Sequence, residues 1–348
     1  MNKSKFDNVF NEFKKSDKNI EFIGKVLGEG GFGEVRDMKY KGKLCAGKIT
    51  EKKFQNSLAE KIKGPNIIKI YDILEKKYDG KDYSLIIMEK ALLRDLGAMI
   101  NHLHQHNFIK LINNPFLELI GNNLLKYFVK QIVQGMETLD KNELVHFDIK
   151  PENILIQSGL VLKVTDFSFL MNLQDNENEK SIKIPGGTKG YVTPEYYQKK
   201  EIDKLTAKKQ DYFALGATIY LLKVGYQMLK YKKYENDTLT EDRIIDLLQR
   251  DVAHIRADPL MDKDFVDFLC QLIQYIPEER PSFEEIYRNK WLNKDLDEIS
   301  FIINSFIEDE EEEKEKVLMK ELIKSDYLIK KQAEIKKEEN RKNFTFID

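Results

Sequence analysis

Four polar residues, Asp148, Lys150, Asn153 and Asp166, fall within nineteen positions of otherwise apolar sequence. They sit in Val145-His146-Phe147-Asp148-Ile149-Lys150-Pro151-Glu152-Asn153-Ile154-Leu155 and then Val164-Thr165-Asp166-Phe167. Polar groups beside a core need a partner or a task. Phosphoryl transfer to a hydroxyl has a task for each. One carboxylate orients the hydroxyl and takes its proton, and a cation screens the moving phosphoryl group. An amide oxygen and a second carboxylate hold Mg²⁺. Caps and turns around two short strands would account for one or two of these residues, but not for the whole set in this order.

A second cluster is Gly28-Glu29-Gly30-Gly31-Phe32-Gly33-Glu34-Val35. Glycines let backbone N–H groups approach phosphate oxygens that side chains would hold off. The pattern also marks dinucleotide folds and plain turns, but here it lies between two strands and not before a helix. Lys48 follows Val35 by thirteen residues, in the next strand, where it would neutralise the same phosphates. Taken alone it would read as an exposed strand lysine.

The elements that must hold these groups are legible from apolar patterning. From Ile20 to Tyr40, short apolar alternations broken by glycines read as strands, and Gly42 to Ile49 as another. IIKIYDIL and DYSLIIMEK read as two more, joined by a turn at residues 78–80. After Ala91 the period becomes helical. The clearest helix is LLKYFVKQIVQGMETL, with Leu125, Phe128, Val129, Ile132, Val133 and Met136 on one face. Strand-like runs near Asn153–Ile156 and Val161–Val164 follow, then a polar, Gly-rich loop to Pro194 and helices from Lys209 to Trp291. Strand first and helix afterwards predicts two unequal lobes of an α+β fold. Residues 1–19 read equally as a short amphipathic helix, with Phe6, Phe10 and Phe13 at helical spacing, or as a loose extension.

Composition bounds the function. The chain has 348 residues, 41% hydrophobic and 33% charged, enough for a large core. Its 57 Lys+Arg against 59 Asp+Glu leave a net charge of −2, so no global field gathers nucleic acid. The longest apolar run, Phe213 to Leu222, is about ten residues, against roughly 20 for a membrane span, and the start lacks a signal-peptide core. With a mean hydropathy of −0.52, an intracellular protein, cytoplasmic or nuclear, without membrane or nucleic-acid partners is expected. Cys45 and Cys270 fit no disulfide or zinc spacing. Cys45, close before Lys48, reads as an apolar filler or as a thiol near the phosphate site. His102, His104 and His106 read as a polar surface sooner than as a metal site.

The order of these motifs resembles the eukaryotic protein kinase family over about residues 20–292. The series runs from the Gly-rich loop through Lys48, Met88-Glu89-Lys90-Ala91, HxDxKPEN and Asp166-Phe167. It continues with Gly187-Thr188 to Pro194-Glu195, Asp211 and Arg280. The resemblance implies the bilobal kinase fold. Residues 1–19 would be an extension, 20–91 the small lobe, 92–292 the large lobe, and 293–348 a charged helical tail. It implies that ATP is covered by Leu27 and by Gly28, Glu29, Gly30, Gly31, Phe32, Gly33 and Val35. Ala46, Met88, Glu89, Ala91 and Leu155 would complete its pocket, and Lys48 would hold its α- and β-phosphates. Asp148 would be the base, Lys150 a neighbour of the γ-phosphate, and Asn153 and Asp166 the ligands of Mg²⁺. Lys150 and Thr188 look like the serine/threonine branch, so the implied partner is a protein substrate. Glu195–Arg280 would be a structural ion pair, Asp211 an anchor for the catalytic loop, and His146 and Trp291 core residues.

Three departures stand out. Phe147 replaces the arginine that receives an activation-loop phosphate, so activity independent of that phosphate is expected, with Ser181 and Thr188 as the residues to mutate. Ser168 replaces a glycine and should hold Asp166 inward. The acid that pairs with Lys48 is not fixed by spacing, and Gln55, Glu60 and Glu51 compete for the role. A pseudokinase acting through its tail is therefore the competing expectation. The tail carries six consecutive acids, Glu308 to Glu313, and then Leu318, Leu322, Ile329 and Ile335. It reads as a solvated helix first and as a partner-binding helix second.

Overall fold

The computed structural model describes residues 6–30, 33–51, 62–91, 95–99, 115–175, 181–198, 201–224, 227–229, 240–259 and 261–294. Gln55, Glu60, the histidine cluster and the tail's apolar residues lie outside them. The fold is bilobal, with a β-rich first lobe and a helical second one. Five antiparallel strands form the small lobe: β1 (Ile20–Gly30), β2 (Gly33–Tyr40), β3 (Lys43–Thr50), β4 (Ile70–Tyr78) and β5 (Lys81–Met88), in the order β1-β2-β3-β5-β4. Two tight turns fix the hairpins. Lys41-Gly42 (φ 51° and 78°) joins β2 to β3, and Asp79-Gly80 (φ 48° and 76°) joins β4 to β5. Positive φ at both central residues gives the turn whose twist matches that of the strands.

Alternation along β3 sorts its residues between two cores. Ala46 joins a cluster that runs down into the large lobe. Cys45 and Ile49 face the opposite way, with Met38, Tyr40, Tyr83, Leu85 and Ile87. That outer face is covered by α1 (Asp7–Ser16), which buries Phe6, Val9, Phe10 and Phe13 there. Phe10 meets Phe22 edge to face at 4.6 Å, and Lys76 donates to the carbonyl of Glu12 at 2.9 Å. Residues 7–16 are thus a docked helix, the first of the two readings of this stretch. The phenylalanine stripe has a sheet face to bury against. The same packing corrects the thiol reading of Cys45. It is fully buried under α1, away from the cleft, and burial, with a contribution from Asp37, pushes its pKa up to about 11.

The large lobe is built on α2 (Pro115–Lys141). The short strands β6 (Leu144–Val145), β7 (Ile154–Ile156), β8 (Leu162–Val164) and β9 (Met171–Asn172) follow it. β6 pairs with β9 and β7 with β8. Then come β10 (Ile182–Lys183), α3 (Pro194–Tyr197), β11 (Glu201–Ile202), which pairs with β10, and the central α4 (Lys204–Val224). Helices α5 (Glu241–Arg256), α6 (Lys263–Leu272), α7 (Phe283–Tyr287) and α8 (Lys290–Asn293) complete it. Trp291 stacks on Phe268 at 5.6 Å, as a core residue should. No helix among the described residues is long and apolar enough to cross a membrane.

Candidate active site

A cleft of about 510 Å³ opens between the lobes. Leu27, Gly28, Val35, Ala46, Lys48, Met88, Glu89, Ala91, Asn153, Leu155 and Asp166 line it, all expected from the sequence. Val26, Asp95, Glu152 and Thr165 line it too and were not foreseen. A shift of register in β1 between Val26 and Gly28 lets three successive residues reach the cleft, where strict alternation would allow two. Glu152 and Thr165 stood beside expected residues, whereas nothing in the local sequence singled out Asp95. Gly31 and Phe32 lie outside the described residues, and Glu29, Gly30 and Gly33 do not line the cleft. Gly33 serves the backbone instead. At φ 150°, a Cβ there would stand 1.9 Å from the carbonyl oxygen of Ile49, so only glycine lets β2 start this close to β3.

Asp148 and Lys150 stand beside this wall, joined to it through Asn153. The Asp148 carboxylate is 3% exposed and accepts three donors. Lys150 Nζ reaches Oδ2 at 2.7 Å, Thr188 Oγ1 reaches Oδ1 at 2.6 Å, and Asn153 Nδ2 reaches Oδ2 at 2.9 Å. Lys150 also donates to Thr188 Oγ1 at 2.6 Å. Thr188 is therefore committed to this site. Mutating it tests positioning, and not phosphorylation as the sequence reading assumed.

The loop carrying Asp148 is hung from α4. Asp211 accepts the N–H of His146 at 2.7 Å and of Phe147 at 2.8 Å, one on each carboxylate oxygen. His146 Nε2 meets the carbonyl of Thr165 at 2.9 Å and Nδ1 accepts the N–H of Asp148 at 3.2 Å. These bonds require the ring proton on Nε2. Burial raises the Asp211 carboxyl to about 6, against the opposing pull of the His146 ring and the two N–H groups. A carboxyl raised on folding stabilises fully below its unfolded value of 3.8, and that contribution is lost as pH rises through about 6. The stability advantage of wild type over Asp211→Asn should accordingly shrink between about pH 4 and pH 6, read as urea midpoints.

Lys48 and Asp166 meet at 2.6 Å. Burial alone would raise the Asp166 pKa, but the charge and hydrogen bond of Lys48, with the Ser168 hydroxyl, outweigh it and hold the group below 3.8. Ser168 Oγ donates to Asp166 Oδ1 at 2.5 Å. This is a second hold on Asp166, beyond the backbone restriction expected of serine. Asp166 and Phe147 both adopt left-handed backbone, φ 64° and 62°, a cost of about 1–3 kcal/mol each that the surrounding bonds must offset. Glu51 pairs with Lys81 at 2.5 Å. Asp166 is the partner of Lys48 among the described residues.

Phe147 is buried with Val145, Leu173, Ile182, Ile202 and Ala207. Phe169, Met171 and Ile184 pack against them. An apolar plug thus forms around Phe147 and joins the loop carrying Asp148 to both β10 and β11. Ser181, just before β10, donates to Glu201 Oε2 at 2.6 Å.

The donor set fits a hard divalent cation. Asn153 uses Nδ2 toward Asp148, and Asp166 uses Oδ1 toward Lys48 and Ser168. Asn153 keeps its single side-chain oxygen, Oδ1, and Asp166 keeps Oδ2, and both residues line the cleft. Mg²⁺ is commonly held by one or two protein oxygens plus substrate phosphates. Among the described residues no cluster of three or more His, Cys, Asp or Glu could hold a metal by itself.

Comparison with known proteins converges on the same region. A model described as protein kinase domain matches residues 22–292. The chain is 27% identical over 274 residues to an Aurora kinase of Saccharomyces cerevisiae, covering 78% of this chain and 68% of that one. It is 27% identical over 285 residues to the SNF-related serine/threonine-protein kinase of Homo sapiens, covering 78% of this chain and a third (33%) of that one. Rhodopsin kinase GRK1 of Rattus norvegicus is 31% identical over 271 residues, or 75% of this chain and 44% of the relative.

Proposed function

Since this chain belongs to the protein kinase family, we propose that it transfers the γ-phosphate of ATP, with Mg²⁺, to serine or threonine hydroxyls of protein substrates. The observation that carries this reading is the closed set of bonds around Asp148, in which Lys150, Thr188 and Asn153 all converge on one carboxylate. A volume of about 510 Å³ suits a nucleotide.

In the proposed reaction the substrate hydroxyl oxygen attacks the γ-phosphorus as the bond to the bridging oxygen of ADP breaks. Asp148 takes the hydroxyl proton. Lys48 holds the α- and β-phosphates, and Lys150 screens the charge on the phosphoryl group in transit. Asn153 and Asp166 would hold Mg²⁺, which neutralises phosphate charge when bound. Positioning and preorganised charge supply the rate, because the protein makes no covalent bond. Lys150 and Thr188 at the base favour serine or threonine as acceptor. The first lobe is taken to end near Ala91 and the second near residue 292. An intracellular setting and a partner for residues 293–348 are part of the same proposal.

The test is radiolabelled transfer from ATP to a generic basic protein with Mg²⁺, beside ATP-dependent thermal shifts. Transfer by wild type and not by Asp166→Asn supports the kinase. A thermal shift without transfer would favour the pseudokinase. Two smaller effects follow from the departures. Ser181→Ala should leave transfer within about twofold, because the apolar plug holds the activation segment without a phosphate. A drop beyond tenfold would refute this. Ser168→Gly removes a hydrogen bond to a charged group, about 1.5–3 kcal/mol, and should raise the Mg²⁺ concentration needed for half-maximal rate. An unchanged Mg²⁺ titration would show that this bond positions nothing.

A further inference from the structure

The family match begins at residue 22 and leaves α1 without an assigned task. Its charged anchor nevertheless sits on the strand that roofs the cleft. Arg36 follows Val35, which lines the cleft and pairs with Lys48 in the β2–β3 register. On the outer face, Arg36 Nη2 donates to Asp7 Oδ1 at 2.5 Å, and its Cζ lies 4.1 Å over the Phe10 ring. Its Nε donates to Glu34, the residue after Gly33 at the root of the β1–β2 hairpin. The Glu34 side chain is 1% exposed and that of Arg36 12%. One planar guanidinium therefore binds the helix by charge and by stacking, and the hairpin root by charge. Burial would lower its pKa, yet the bonds and charges of Glu34 and Asp7 leave it raised.

We propose that Arg36 is a positioning residue for nucleotide, fastening the root of the β1–β2 hairpin to α1 and so fixing Val35 and Lys48 over the cleft. This rests on the kinase reading of that cleft. Successive residues of a strand serve opposite faces of one backbone. A shift of β2 at Arg36 is therefore a shift at Val35, and through the β2–β3 ladder at Lys48. Misplacement by about 1 Å is enough to cost a large factor in rate or binding.

The test uses the full chain as wild type, Arg36→Ala and the double variant Glu34→Gln/Arg36→Ala, which removes the buried charge left by the first change. Binding of a fluorescent ATP analogue with Mg²⁺, steady-state kinetics, melting temperature and amide exchange without nucleotide are read on each. Arg36→Ala should weaken nucleotide binding and raise KM for ATP at least fivefold. Its kcat and its KM for protein substrate should stay within twofold, and exchange should accelerate over residues 26–36. The double variant should recover melting temperature while nucleotide binding stays weak. Affinity that returns with melting temperature would overturn the inference, as would a lower melting temperature with KM for ATP unchanged. The exchange arm stands apart from transfer. Unchanged exchange at 26–36 overturns the role of Arg36 even in an active enzyme. Accelerated exchange supports it even if the wild type transfers no phosphate, a result that would sink only the kinase reading.

Discussion

Asp148→Asn is expected to lower phosphoryl transfer by about 10²–10⁴-fold, the usual contribution of a positioned general base, while nucleotide affinity stays within about threefold. Asparagine keeps the size of the side chain but accepts no proton. Its NH₂ group would also face donors, because both carboxylate oxygens of Asp148 are engaged by Lys150, Thr188 and Asn153. The fault should fall on the chemical step. Asp148 is not on the wall of the cleft, so ATP loses no direct contact. Single-turnover rates and nucleotide titrations on the same preparation separate the two effects. A variant with wild-type transfer would remove Asp148 from the mechanism. A variant that lost nucleotide together with rate would mean that the loop, not the proton, had been disturbed.

Arg280→Leu is expected to destabilise the large lobe by about 3–5 kcal/mol, as breaking a buried pair from one side does. Arg280 is 1% exposed and meets Glu195 at 2.7 Å. It also donates to the carbonyls of Gln274 at 2.9 Å and Tyr275 at 3.2 Å, and its guanidinium lies 5.1 Å from the Phe213 ring. Burial lowers the guanidinium's pKa, and Glu195 only partly offsets this. Removing the arginine takes from Glu195 its charge partner and from the carbonyls of Gln274 and Tyr275 their guanidinium donor. Glu195→Gln should cost less, since Gln210 remains a neighbour at 3.4 Å. Urea denaturation of both single variants and the double would measure the coupling. Additive losses would mean that the pair contributes only through its separate neighbours.

Much of this site could be read before the fold was known. Glycine, Lys48, Asp148, Asn153 and Asp166 have side-chain chemistries that few other residues replace, and their order along the chain carries information. The strands were legible because Asp79-Gly80 and Lys41-Gly42 punctuate runs of strand-forming residues. Three features were legible only in part, each for a physical reason. The helix formed by residues 7–16 depends on an apolar sheet face some 30–80 positions away in sequence, in Met38, Leu85 and Ile87. Thr188 was visible as a motif residue, but only folding brings its hydroxyl onto Asp148 across 40 positions. Phe147 could be seen to lack a charge, yet nothing local said that Leu173, Ile182 and Ile202 would gather around it.

Strand β3 has a consequence for how such a chain can diverge. Its neighbours point alternately to the helix-covered face and to the cleft, with Cys45 and Ile49 on one side and Ala46 and Lys48 on the other. A point substitution in β3 changes the side chain on one face only. Gain or loss of a single codon before Lys48 would exchange the faces wholesale, sending an ammonium group under α1 and an isoleucine toward the phosphates. A change in the length of β3 should therefore be tolerated less than a volume-conserving substitution on either face. The Lys41-Gly42 turn at its start is where insertions would survive.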